Sequence, residues 1–145
     1  MIDADSDEAV CVIDLDTVMP GLSLYDFGDL VRTATSPAEE DETDLTKVQM
    51  RMSMFEALAE GYLDGCDCLT DLEIENLVCG GKLMTLEVGI RFLTDYLQGD
   101  SYFKTKYPNH NLDRCRTQLK LVACIEEQEE AMNEFVQRVA KSKGR

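Results

Sequence analysis

The sequence predicts one mainly helical domain over residues 1–145, opening on a short β-hairpin. Three observations predict it. Apolar residues recur at helical spacing, as in Val48, Met52, Phe55, Leu58, Ala59 and Tyr62. Helix-start signals precede such stretches: Ser36-Pro-Ala-Glu39 and Thr70-Asp-Leu-Glu73 both place a hydroxyl three residues before a glutamate. Near the N-terminus the pattern changes to a continuous, β-branched run, Val10-Cys-Val-Ile13, as expected of a buried strand.

In chain order, Asp3-Ala-Asp-Ser-Asp-Glu8 has turn chemistry between the end of one strand and the start of a second. The second strand ends at Asp14-Leu-Asp16, before the loop Met19-Pro-Gly21. A short helix is expected from Asp26 to about Thr35. A longer one starts at Ser36 or Asp44 and runs to about Leu63. The Thr70 capping box opens a helix to about Cys79, and Gly80-Gly81 is expected to interrupt or bend it. A further helix carries Leu83, Leu86, Ile90, Leu93 and Leu97 to Gly99. An irregular loop with Pro108 follows. The last helix runs from near Asn111 towards Lys141, lined by Leu112, Cys115, Leu119, Val122, Met132, Phe135 and Val139.

Composition narrows the function. Hydrophobic residues make up 44% of 145, enough for a real core. Acidic residues number 29 against 14 basic, a net charge of −15. Nucleic-acid binding and anionic membrane surfaces both need clustered cations and are disfavoured. The opening MIDADSDEAV is acidic, unlike a signal peptide, and apolar runs fall short of a membrane span. Several of the six cysteines sit in apolar stretches, so a cytoplasmic protein with reduced thiols is expected.

Three motifs imitate sites. Asp3, Asp5, Asp7 and Asp14 echo a calcium loop, but Glu8 stands where that loop needs glycine. Cys66 and Cys68 lack the further ligands that structural zinc requires. Asp26-Phe-Gly28 spells the magnesium motif of protein kinases. There the aspartate ends a strand, whereas Asp26 follows a Pro-Gly loop.

The residues in the right physical place are Asp14 and Asp16. Phosphoryl transfer needs rigid carboxylates to hold Mg²⁺ against phosphates. A strand ending in Asp-Leu-Asp delivers two, with side chains two apart on one face. Many buried strands end in aspartate, so the pattern is weak alone.

Together, Val12-Ile-Asp-Leu-Asp-Thr17, Met19-Pro-Gly21, Tyr25-Asp-Phe-Gly-Asp29 with Arg32, and Ile90-Arg-Phe-Leu-Thr-Asp-Tyr-Leu97 with Gly99-Asp-Ser-Tyr-Phe103 are more specific. Gly61-Tyr-Leu63 and Asn111-Leu-Asp-Arg114 with Arg116 and Gln118 add to them. Nearly the whole chain resembles the C-terminal lobe of the aminoglycoside phosphotransferase and choline kinase superfamily. Within it, the likeness is greatest to bacterial N-acetylhexosamine 1-kinases. The resemblance implies a protein-kinase-like C-lobe, with Mg²⁺ and ATP as cofactors and an amino sugar as substrate. Asp14 matches the magnesium-binding aspartate, with Asp16 a helper. Asp26 matches an aspartate that caps a helix and braces the catalytic loop, and Asp29 and Arg32 belong to the same motif, with Arg32 near the sugar. Arg91 and Tyr102 match sugar-contacting positions. Alternatively, Arg91 could pair with Asp95 at helical spacing and Tyr102 could simply pack.

The chain departs from that family where its catalytic loop, His-x-Asp-x-x-x-x-Asn, should precede the first strand. The catalytic base, a second metal ligand and the ATP-gripping lobe are not in this sequence, so no catalytic residue is expected within it. The expectation is an inactive fragment that binds neither cofactor alone, from a longer protein, a truncated gene or a start upstream of Met1. Exposed strand edges should make it self-associate. The competing expectation is a non-catalytic helical interaction module derived from such a lobe.

Overall fold

A computed structural model describes residues 2–4, 6, 8–16 and 18–144. The domain is mainly helical: α1 (Ser23–Ala34), a 3₁₀ turn (Leu45–Lys47), α2 (Met52–Gly65), α3 (Asp71–Glu75), α4 (Leu77–Leu97) and α5 (His110–Ser142). Helix α4 packs between α1 and α5, and α2 closes the core from the α5 side. Among the described residues no helix is long and apolar enough to cross a membrane.

The core gathers Phe27 and Val31 of α1, Phe55, Ala59 and Leu63 of α2, Leu77 and Val78 of α4, and Leu121, Ile125, Met132 and Val136 of α5. The Phe27 ring meets Phe55 edge-on at 6.0 Å and lies 5.0 Å from Tyr62. Such aromatic pairs add to what area burial alone supplies.

Three expectations are corrected. The first is the β-hairpin. Only one antiparallel bridge, Ile2 to Ala9, forms among the described residues, and Val10, Val12 and Ile13 stand 58–80% exposed. A strand needs a partner ladder for its backbone groups, and none of the described residues supplies one here. Asp5 and Asp7 of the acidic turn, and Thr17, lie outside the described residues.

The second concerns Ser36-Pro-Ala-Glu39. Its serine accepts from Ala38 N–H in a local turn, and no α-helix begins until Met52. The intervening loop draws its backbone partners from α5. Thr117 donates to Glu42 C=O, Cys124 to Val48 C=O, and Gln128 to Met50 C=O. Buried carbonyls need such partners, and a side-chain splint serves as well as a helix. Arg51 donates to the Thr35 and Ala34 carbonyls and so finishes α1.

The third concerns Gly80-Gly81, which lies inside α4 and does not break it. The break falls at Asn76, four residues earlier than Gly80, after the Thr70–Glu73 capping box has formed as expected. The glycines are there for contact. A Cβ on Gly28 would come within 2.4 Å of the Gly80 carbonyl, and one on Gly80 within 2.6 Å of the Leu24 carbonyl. Backbones of α1 and α4 therefore touch, which only glycine allows.

Candidate functional site

A cleft sits where α4 ends and the chain turns back towards α5. Asp95 organises it and is 3% exposed. Its Oδ1 accepts the N–H groups of Ser101 at 2.9 Å and Tyr102 at 2.8 Å. Its Oδ2 accepts Phe103 N–H at 3.0 Å and Asn111 Nδ2 at 2.9 Å. Asn111 also donates to Asp100, and Gly99 and Asp100 take positive φ to reverse the chain. Burial pushes the Asp95 pKa up, but the three backbone N–H bonds outweigh it and hold the carboxyl below its ordinary range.

The turn so fixed sets Tyr102 against Arg91. Arg91 Nη2 donates to the Tyr102 hydroxyl at 3.4 Å, and its guanidinium lies 5.6 Å from the Tyr102 ring and 5.5 Å from that of Phe103. Phe103 in turn packs on Phe92 at 4.8 Å. Arg91, Thr94, Asp95, Gln98, Tyr102 and Phe103 line a cleft of about 280 Å³, near the lower bound for small-ligand sites. A cationic fork and a phenol at its mouth, over an aromatic wall, suit a polar molecule with one apolar face. Arg91 also lies 3.7 Å from Glu87, the neighbour one turn earlier. Asp95 points inward, so the helical-spacing pair between Arg91 and Asp95 does not form.

The remaining candidates lie elsewhere. Arg32 is held by Asp29 at 2.8 Å and Glu40 at 3.4 Å. Glu40 also lies 3.2 Å from Arg114 Nε. Arg32 lines a separate cavity of about 160 Å³ with Ser36, Glu40, Thr117 and Gln118. Arg32 and the Arg91–Tyr102 pair thus line different cavities. Asp26 sits in the first turn of α1, where a carboxylate favours the helix dipole, and accepts from the Tyr62 hydroxyl at 3.3 Å. Burial, then the Asp26 charge, pushes the Tyr62 pKa well up.

Asp14 and Asp16 are exposed on the extended segment before α1. Asp14 has φ of 60°, a left-handed conformation that aspartate tolerates better than most residues. That kink breaks the strand alternation that would set both carboxylates on one face. Among the described residues no group of three or more His, Cys, Asp or Glu is placed to hold a metal ion. Magnesium is commonly held by one or two carboxylates together with substrate phosphates, so the pair fits part of such a site and not all of it.

No protein-family model matches the chain. Sequence reading missed Asp95 as the organiser of the cleft. Its signal was present: a carboxylate at the end of an apolar helix, four residues before Gly99. It missed Glu40 between two arginines, because that contact joins residues 74 positions apart in the chain (40 and 114).

Proposed function

We propose that the chain supplies the helical C-terminal part of a Mg²⁺- and ATP-dependent small-molecule phosphotransferase, acting on an amino sugar of the N-acetylhexosamine kind in the cytoplasm. The observation that carries this reading is the Asp95-anchored turn that sets Tyr102 beside Arg91 at the mouth of a cleft. The guanidinium and the phenol would bind hydroxyl and acetamide oxygens, and Phe103 would take an apolar sugar face. Asp14 would supply a carboxylate to Mg²⁺, with Asp16 a helper, and the ion neutralises phosphate charge when bound. In this reading the fold is a protein-kinase-like C-lobe. Asp26, through Tyr62 and the α1 dipole, and Asp29, through Arg32, are structural members of the same motif.

The test is to assay ATP-dependent phosphorylation of N-acetylhexosamines by the longest protein that contains this chain. Turnover with one of these sugars is expected. No turnover across a panel of amino sugars with Mg²⁺ and ATP overturns the reading. Asp14→Ala should then abolish turnover while leaving sugar binding intact, and retained turnover would refute its metal role. Arg91→Ala and Tyr102→Phe should raise KM for the sugar about 10-fold or more, since an unpaired polar contact of this kind is worth about 1–3 kcal/mol.

A second reading is favoured by one observation, the apolar outer face of α4. In it the chain is a helical interaction module without catalysis.

A further inference from the structure

Helix α4 carries an apolar stripe on its outer side as well as on its inner one. Its inner side, with Gly81, Thr85, Gly89 and Phe92, packs on α1 and α5. Its outer side carries Leu83, Leu86, Ile90, Leu93 and Leu97, spaced three and four residues apart. That is the a/d spacing of a helix seam, and it runs for 14 residues, about 21 Å. Leu83, Ile90 and Leu97 are 47%, 52% and 74% exposed.

We propose that this face docks α4 of a second copy of the chain, antiparallel, about a two-fold axis near Ile90. Charge pattern selects the occupant and its direction. Glu87 and Arg91 flank one edge of the seam. In an antiparallel pair the same edges face each other, so Glu87 of one copy comes within about two residues, roughly 3 Å along the axis, of Arg91 in the other. Two such reciprocal pairs form. A parallel pair would bring opposite edges together and set Glu87 against the edge of Lys82, which Glu129 already holds at 2.8 Å. Shape agrees with charge. The antiparallel register sets Leu97 of the second copy opposite Leu83, beside a groove of about 440 Å³ lined by Tyr25, Leu83, Met84, Glu87 and Arg91. The leucine enters one end of that groove. An isologous contact of this kind closes on itself and does not propagate. The net charge of −15 opposes association at low salt, but charges beyond a Debye length of about 8 Å are screened at physiological ionic strength. The inference shares Arg91 with the phosphotransferase reading but does not rest on it, and Ile90→Glu tests it without altering that residue.

Sedimentation and light scattering from low to high micromolar concentration provide the test. A mass approaching twice 16.3 kDa is expected, with tighter association as salt rises. Ile90→Glu should give a monomer with unchanged helical circular dichroism, because the site is exposed. Leu72→Glu, 69% exposed on α3, should leave the dimer intact. Glu87→Arg or Arg91→Glu alone should weaken the dimer about 10-fold, and both together should restore it. A clean monomer throughout overturns the proposal. So does a dimer that survives Ile90→Glu, or one that Val12→Asp dissolves and Ile90→Glu does not. Failure of the double exchange to restore association overturns the antiparallel arrangement.

Discussion

Asp95 shows how one side chain can build a cleft through backbone hydrogen bonds. Its two oxygens take three backbone N–H groups and one amide, so the direction of Tyr102 follows from a carboxylate seven residues earlier. The pKa sign gives a prediction. The folded carboxyl titrates below its ordinary value of 3.8, so its stabilising effect is complete above that value. It is lost as pH falls through the lowered folded pKa. Asp95→Asn should therefore lower the unfolding temperature at neutral pH, and the gap between the two proteins should narrow below about pH 4. Thermal unfolding followed against pH checks this; a gap constant down to pH 2 would contradict it. Glu73 behaves alike. Bonds from the Ser23 hydroxyl, then from Thr70, hold it down at about 2, so the tie from α3 to the start of α1 should last until pH drops well below 4.5.

Helices differ in how openly they announced themselves. The Thr70 capping box was legible, because its signal is local and needs no partner. Thr70→Ala should cost about 1 kcal/mol, measurable by urea unfolding. The last helix was legible too, since a long periodic stripe survives errors at its ends. Val10–Ile13 was misread because β-branched residues declare a preference and not a partner. Gly80-Gly81 was misread for the opposite reason. Glycine lowers helix propensity, but here the loss is offset by the approach of α1, which no local pattern reveals. Gly28→Ala should force α1 from α4 and destabilise by about 1–3 kcal/mol or more, as overpacking does. An unchanged denaturant midpoint would show that the helices can part freely. Of the candidate site, Arg91 and Tyr102 were legible as a pair only through their motif, and their contact depends on an Asp95 turn that spacing alone does not fix.

At the scale of the whole molecule, the acidic surface sets the response to salt. With 29 acidic residues against 14 basic, compaction works against self-repulsion. Added salt should raise the unfolding temperature, as calorimetry would show. Most of the ion pairs among the described residues are local or partly exposed, so their loss to screening is small by comparison. The core belongs to no single helix, and the last helix has the largest share in it. Helix α5 buries Leu121, Ile125, Met132, Phe135, Val136 and Val139, and also splints the loop before α2. Synthesis runs the other way, from the N-terminus. During translation Phe27, Phe55 and Leu63 must therefore wait, with their apolar surface uncovered, until α5 clears the ribosome. A pause in translation before α5 emerges would hold this protein in its stickiest state, and chaperone binding to the nascent chain should peak there and fall once α5 is free.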